Sequence, residues 1–169
     1  MAVRPIRTYG DAVLRVKAKR VAKFDGSIQH LIDDMIETMR AAPGVGLAAP
    51  QVGISLRVVV IEMPEEEGVI TLINPEIIKR FGERDIDEGC LSLPGYIGAI
   101  KRSVRVVVKG RDREGKEMRL KADGLLAQAI EHELDHLDGV LYIDHLASPD
   151  MLHKLEPVKQ PEEVATGIG

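Results

Sequence analysis

The chain is poor in cysteine and in aromatic residues. Of its 169 residues one is a cysteine, Cys90, while aromatic side chains make up 3% and tryptophan is missing. A single cysteine excludes an internal disulfide, so a reducing compartment, the bacterial-type cytoplasm, is the expected location. The start MAVRPIRTYG has no apolar signal core, and no apolar run is long enough for a membrane span. We therefore expect neither a targeting segment nor a membrane anchor.

Positive charge is also in short supply. Charged residues make up 30% of the chain, yet the formal net charge is −4. This balance argues against direct binding to nucleic acid or to a membrane surface, because both need a basic surface. With 44% hydrophobic residues, a chain of 169 residues has enough apolar surface for one domain. We expect that domain to be a monomer.

The spacing of apolar residues predicts helices and antiparallel strands that follow one another in separate blocks. Residues 28–39 and 124–138 have helical periodicity, and a glycine-punctuated loop follows the first helix at 44–53. Strands are predicted over residues 56–62 and 69–73, and a hairpin over residues 103–122. This order is typical of the α+β class rather than of alternating βαβ units.

The second helix contains the string EHELDH, residues 131–136, in which two histidines stand four positions apart. On a helical wheel His132 and His136 share one edge of the apolar half, and Glu133 falls near the middle of that half. Glu131 and Asp135 fall on the opposite, solvent-facing side. An inward carboxylate is costly without a cation or a hydrogen bond, so Glu133 is the candidate general base of a metal site.

Two imidazoles need a third ligand, and the downstream sequence offers poor ones. Tyr142 stands where one zinc-peptidase pattern requires a third histidine, and His145 lies three residues too late. The later glutamates fall in the polar tail. Upstream, Cys90 in EGCLSLP is the best remaining donor, because a thiolate completes a set of two nitrogens and one sulfur with a position left open.

Three motifs together resemble the peptide deformylase family. They are GVGLAAPQ at residues 44–51, EGCLSLP at 88–94 and QAIEHELDHLDG at 128–139, in the family's order and spacing. The resemblance extends over about residues 5–147. It implies a central helix that carries HExxH and is wrapped by antiparallel sheets, in a catalytic domain of residues 1–147 followed by a polar tail of residues 148–169.

The resemblance also assigns residues to the metal and to the reaction. It implies one metal ion, Fe²⁺, bound by Cys90, His132 and His136, with Zn²⁺, Ni²⁺ or Co²⁺ able to replace it. Glu133 would act as general base and acid on a water that the metal activates. The oxyanion would be stabilised by the metal, the Gln51 side chain and the Leu91 amide.

Further positions follow from the same motifs. Glu88 would pair with Arg102 and steady the loop that carries Cys90. The substrate chain would bind as an added strand along the backbone of Val45, Gly46 and Gly89. We expect its methionine side chain to enter an apolar pocket near Ala129 and His132, where the small side chain of Ala129 leaves space.

The substrates implied by the resemblance are nascent N-formylmethionyl polypeptides, which would lose formate during N-terminal processing in protein biosynthesis. Transient contact with the ribosome is implied as well. Many members end in a longer charged helix, whereas Pro157 and Pro161 interrupt the tail here, which argues against family-like docking of this tail.

Two alternative functions use the same residues differently. A small metallopeptidase would share HExxH but take another third ligand, and it would keep its metal when Cys90 is replaced. A non-enzymatic, metal-stabilised binding module would need a fourth protein ligand and has no use for an inward Glu133.

Overall fold

The computed structural model describes residues 2–155, which form two α-helices and six strands. The helices are α1, Gly26–Ala41, and α2, Gly124–Leu137. The strands are β1, Gly46–Ala48; β2, Val58–Ile61; β3, Ile70–Cys90; β4, Leu93–Arg111; β5, Glu117–Asp123; and β6, Leu152–Lys154. They form one sheet of order β1-β2-β3-β4-β5, with β6 paired to β4, and all these pairs are antiparallel. The predicted α+β class is confirmed.

Helix α1 agrees with the predicted 28–39 segment and extends it by about one turn in total. The carboxylate of Asp25 caps its start by accepting hydrogen bonds from the amides of Ser27 and Ile28. At its other end Ala42 is the cap residue, and Pro43 follows where an amide donor is no longer needed. The apolar stripe of α1 is buried at Ile28, Leu31, Ile32, Met35 and Met39.

Strand β2 has no polar face because both of its faces are covered. Val59 and Ile61 pack in the same apolar cluster as α2, whereas Val58 and Val60 pack in the cluster that contains the buried stripe of α1. All four residues are fully buried. The unbroken apolar run in the sequence is therefore the expected pattern for a strand enclosed on both sides.

Helix α2 is the predicted second helix; it begins at a glycine with positive φ, and a second such glycine follows two residues after its end. Gly124 has φ 57° and Gly139 has φ 74°, conformations that side-chain-bearing residues rarely adopt. A Cβ at Gly139 would also lie 2.8 Å from the Arg15 carbonyl oxygen. The apolar side chains of α2, including Ile130, Leu134 and Leu137, pack against β2, β3, β4 and β5. Together they form the main core of the protein.

The sequence pattern did not predict most of the long hairpin formed by β3 and β4. Its two strands turn at Cys90–Leu93, and register shifts interrupt their pairing at three places. Residues 79–83 are exposed on both faces, so the period-two alternation on which strand prediction depends is absent there. The predicted loop at 44–53 likewise contains β1 and the 3-10 helix Ala49–Val52.

Part of the predicted polar tail is ordered within the sheet. Pro149–Met151 form a short 3-10 helix, and Leu152–Lys154 form β6, which pairs with residues 96–98 of β4. The rest of the tail, residues 156–169, lies outside the described residues. No helix among residues 2–155 is long and apolar enough to cross a membrane.

A buried carboxylate fastens the start of the chain to α1. Asp34 is 2% exposed; it accepts hydrogen bonds from the Ala2 amide at 2.8 Å and from Arg4 Nε at 2.8 Å. Burial alone would raise the pKa of Asp34, but the bonds from Ala2 and Arg4 outweigh it and leave this pKa below its ordinary value. The charged form of Asp34 therefore stabilises the folded chain.

We expect Asp34→Asn to lower the free energy of unfolding at pH 7 by about 1–3 kcal/mol, because Arg4 then loses its charged acceptor. A carboxyl group with a lower pKa in the folded state stabilises the fold fully at pH values above its unfolded pKa, which is about 4. This stabilisation is lost as the pH falls through the pKa of the folded state. Urea unfolding at pH 7 and pH 3 measures this, with half-exposed Asp33→Asn as control. An equal effect at both pH values would contradict the prediction.

Candidate metal centre

The end of β3 and one face of α2 bring three potential metal ligands together. Cys90 is the last residue of β3, and His132 and His136 lie one turn apart on α2. All three are buried, and their ligand atoms lie within 4.8 Å of one another. The structure thus places next to one another the three residues that the sequence analysis selected.

Two of the three distances between these atoms match those expected around one metal ion. His132 Nε2 and His136 Nε2 are 3.3 Å apart, and Cys90 Sγ is 3.4 Å from His136 Nε2. Tetrahedral coordination by nitrogen and sulfur requires about 3.4 Å between two nitrogens and about 3.6 Å between nitrogen and sulfur. The donor set, two imidazoles and a thiolate, suits zinc or ferrous iron.

Glu88 sets the orientation of His132. Its carboxylate is 0% exposed and lies 2.6 Å from His132 Nδ1, so Nδ1 carries the proton and the lone pair of Nε2 faces the ligand cluster. Arg102 donates to the same carboxylate from Nε at 3.0 Å and from Nη2 at 2.6 Å. Burial alone would raise the pKa of Glu88, but His132 and Arg102 lower it to about 2.

The series of polar contacts that begins at His132 and Glu88 continues beyond Arg102 to the far side of α2. Arg102 Nη1 donates to Asp135 Oδ2 at 2.8 Å, and His145 Nε2 lies 2.8 Å from the same oxygen. Gln128 also donates to Glu88 from Nε2, at 3.2 Å. Arg102, which donates twice to the buried carboxylate, is thus itself held by Asp135, and this limits the positions that Glu88 and His132 can take.

Glu133 is the exception among the buried carboxylates of α2. It is 0% exposed, and within the described part of the chain neither of its oxygens has a hydrogen-bond partner. Its Oε2 lies against Gly46, where a Cβ would come within 2.7 Å of it. Burial raises the pKa of Glu133 to about 8 against the opposing charges of His132 and His136. The prediction that Glu133 faces inward is confirmed.

Gln51 approaches the same cluster from the 3-10 helix that follows β1. Its side chain is fully buried, and Nε2 lies 3.9 Å from Cys90 Sγ. Nε2 also donates to Ser92 Oγ at 3.1 Å, and Oε1 accepts from the Ala48 amide at 3.0 Å. The side-chain amide therefore has a defined orientation beside the sulfur.

The remaining predicted site residues lie around this cluster. Leu91 is half-buried in the turn between β3 and β4, and buried Gly89 precedes Cys90. Gly46 belongs to β1, which within residues 2–155 has a neighbouring strand on one side only, and Val45 precedes it. Ala129 is 0% exposed on α2, in the main core.

One expectation about α2 is wrong. Glu131, predicted to face solvent, is 7% exposed and accepts hydrogen bonds from Ser103, at 2.7 Å from the amide and 2.9 Å from the hydroxyl. Arg80 adds an ion pair at 3.1 Å. A helical wheel separates polar from apolar sides, but β3 and β4 also cover part of the polar side of α2 here. Asp135 is only partly exposed for the same reason.

Sequence reasoning missed three polar residues of the site: Ser92, Gln128 and Asp135. Gln128 stands four residues before His132, which puts both on the same helix face and is a usable signal. Ser92 follows Cys90 by two residues inside a motif that had already been singled out. The contacts of Asp135 with Arg102 and His145 join distant parts of the chain, and no local pattern indicates them.

The site as a whole defines a class of protein. A carboxylate held beside two histidines and a thiolate, with a coordination position left for water, is typical of metal-dependent hydrolases. Structural metal sites differ because a fourth protein ligand closes them.

Comparisons with known proteins give the family. The family model described as polypeptide deformylase matches residues 3–151. A peptide deformylase of Dehalococcoides mccartyi is 57% identical over 165 residues, 97% of this chain and 99% of the relative. Among solved structures, a peptide deformylase from Legionella pneumophila has a TM-score of 0.86 at 46% identity and covers 89% of each chain. One from Thermotoga maritima has a TM-score of 0.84 at 43% identity and covers 88% of this chain and 100% of its own.

The chain belongs to the polypeptide deformylase family, and it is an enzyme of the hydrolase type. Members of this family depend on a metal, which agrees with the ligand group formed by Cys90, His132 and His136. This membership decides against both alternatives considered from the sequence, the unrelated metallopeptidase and the non-enzymatic binding module.

We expect Glu88→Gln to weaken metal binding about 10- to 100-fold, because an amide cannot accept from Arg102 and His132 as a carboxylate does. Competition between the protein and a chelator for Zn²⁺ measures the affinity. Glu62→Gln, which breaks an ion pair with Arg40 on the surface, is the control and should leave the affinity unchanged. Equal affinities of Glu88→Gln and wild type would refute the role of Glu88.

Proposed function

We propose that this chain hydrolyses the N-formyl group of the N-terminal formylmethionine of newly made proteins. Water adds to the formyl carbon, the carbon–nitrogen bond breaks, and formate and a free amino terminus result. The observation that carries the proposal is the buried Glu133 carboxylate, which has no hydrogen-bond partner among residues 2–155 and lies beside a three-ligand cluster. The family assignment supports the same reaction.

Cys90, His132 and His136 would hold the metal that the reaction requires. Fe²⁺ is the proposed ion, and Zn²⁺, Ni²⁺ or Co²⁺ would fit the same two nitrogens and one sulfur. When bound, such an ion supplies Lewis acidity, which lowers the pKa of water and polarises a carbonyl oxygen. Glu88 would keep the Nδ1 proton of His132 in place, and Arg102 would hold Glu88, so that the loop carrying Cys90 stays against α2.

Glu133 would move the proton of the reaction. Its carboxylate would accept a proton from the attacking water and deliver it to the departing amine. The lack of a competing donor at either oxygen within the described residues supports this role, since no other hydrogen bond has to break first. The short approach of Gly46 to Oε2 keeps bulk solvent away from that side of the carboxylate.

Two groups would stabilise the negative charge that develops on the formyl oxygen. The Gln51 side-chain amide and the Leu91 backbone amide are the proposed donors, and both would be fixed before the reaction starts. The buried contacts of Gln51 with Ala48 and Ser92 support this role, because they limit rotation of the amide.

The substrate chain would extend the sheet at β1. Backbone groups of Val45, Gly46 and Gly89 would pair with it as with an added strand, and the free edge of β1 within residues 2–155 supports this. The methionine side chain would enter a pocket next to Ala129. Because the substrates arise on ribosomes, cytoplasmic location and transient ribosome contact belong to the proposal, and the monomeric state stays a prediction.

The reaction is tested by formate release from a formyl-Met tripeptide under anaerobic conditions, with metal content measured on the same sample. Glu133→Ala should keep about one metal per chain and lose activity about 10²- to 10⁴-fold, because the general base is gone. Cys90→Ala should lose the metal itself. Full turnover by metal-loaded Glu133→Ala would refute the general base, and no formate from metal-loaded wild type would refute the function.

The approach of Gly46 to Glu133 gives an independent prediction. In Gly46→Ala the new methyl group would lie 2.7 Å from Glu133 Oε2, so the carboxylate must move. Misplacement of a catalytic group by about 1 Å can cost about 100-fold, and we expect a loss of kcat of that order. Gly26→Ala is the matched control, since its Cβ meets nothing within 4 Å. Equal kcat values for the two variants would contradict this account.

A further inference from the structure

Ser92 connects two groups that the proposed reaction needs side by side. It is 1% exposed in the turn between β3 and β4. Its hydroxyl oxygen accepts from Gln51 Nε2 at 3.1 Å, and its backbone amide donates to Cys90 Sγ at 3.4 Å. One residue thus contacts both the proposed oxyanion donor and the proposed thiolate ligand.

The orientation of the Gln51 amide follows from its other contact. Its Oε1 lies 3.0 Å from the Ala48 backbone nitrogen, and a backbone N–H can only donate. The carbonyl end must therefore face Ala48, which leaves Nε2 facing Ser92 and Cys90. Of the two hydrogens on Nε2, one is directed to Ser92 Oγ; the other has only the long 3.9 Å contact with Cys90 Sγ and is available to a substrate oxygen.

Main-chain hydrogen bonds hold the two loops together behind these side chains. The Arg7 amide donates to the Gln51 carbonyl at 2.7 Å, and the Tyr9 amide donates to the Ser92 carbonyl at 2.7 Å. The extended segment at residues 7–9 therefore bridges the 3-10 helix that carries Gln51 and the turn that carries Ser92. The backbones of Gln51 and Ser92 are therefore joined through residues 7–9 as well as through the hydrogen bond between their side chains.

We propose that Ser92 is a positioning residue for the deformylation reaction, whose hydroxyl holds the Gln51 amide so that its second hydrogen meets the formyl oxygen. This inference rests on the proposed function and adds to it. Without Ser92 Oγ, the amide is held firmly only at its carbonyl end, because its nitrogen end keeps only the long 3.9 Å contact with Cys90 Sγ. The donor must then be oriented during the reaction, which weakens the stabilisation of the oxyanion.

A double-mutant cycle separates this role from general support of the core. Ser92→Ala should lower kcat about tenfold with KM changed less than about twofold, because the lost interaction acts in the transition state. In a Gln51→Ala background, the same Ser92→Ala change should alter kcat less than about twofold. An equal loss of kcat in both backgrounds, or no loss in the wild-type background, would overturn the proposal.

The matched control is Ser103→Ala, which deletes another buried serine hydroxyl, one that donates to Glu131 at 2.9 Å. Its kcat should stay within about twofold of wild type even where stability falls. A tenfold loss of kcat in Ser103→Ala would show that any buried hydroxyl has this effect. Should Ser92→Ala fail to fold, Ser92→Gly removes the same hydroxyl and takes its place in the cycle.

A second measurement does not require turnover. In Zn²⁺-loaded wild type, the heteronuclear NOE of the Gln51 side-chain amide nitrogen should be as high as that of rigid backbone, and Ser92→Ala should lower it. The Gln51→Ala variant assigns the resonance. A mobile Gln51 amide in wild type would overturn the inference even if formate is released. Metal-loaded wild type that releases no formate would refute the proposed function, while the NOE would still report whether Ser92 holds Gln51.

Discussion

The ion pair between Glu88 and Arg102, with His132 as third partner, is the interaction on which the rest of the site depends. It joins β3, β4 and α2 at a point that solvent does not reach. A carboxylate in such a place is stabilising only if nearly all its acceptor capacity is used, and here Gln128 supplies a further bond. Because Cys90 follows Glu88 by two residues, the same interaction holds the Cys90 sulfur next to the two imidazoles.

The enclosed position of α2 explains how one short helix can carry two potential metal ligands and the proposed general base. The sheet surrounds it so closely that even Glu131 on its polar side is buried, and every buried carboxylate on it except Glu133 has strong donors. Glu131 and Glu133 are both buried, and they differ in whether hydrogen-bond donors surround the carboxylate. The carboxylate of Glu131 accepts hydrogen bonds that hold the structure, whereas the oxygens of Glu133 have no such donor within residues 2–155 and would be available to the proposed reaction.

Much of this arrangement could be predicted from the sequence, but not all. The helical periodicity of α1 and α2 and the apolar run of β2 were sufficient to predict these elements from local sequence. The four-residue spacing of His132 and His136 was sufficient to place both on one edge of a helix. The middle of the β3–β4 hairpin is charged on both faces, so no alternation indicated it. The Arg102–Asp135–His145 contacts and the partners of Ser92 depend on tertiary approach between distant segments, which composition and periodicity do not contain.

The bridge formed by residues 7–9 has a consequence for how the molecule can be cut or fused. Its two main-chain bonds, to Gln51 and to Ser92, close the back of the reaction centre, and Asp34 holds the preceding residues against α1. A version of the chain shortened to begin after Tyr9 would keep the three potential metal ligands and the proposed general base. It would nevertheless lose the segment that joins the loop of Gln51 to the loop of Ser92. We therefore expect such a chain to have lower activity because its catalytic groups are less well positioned, and not because one of them is missing.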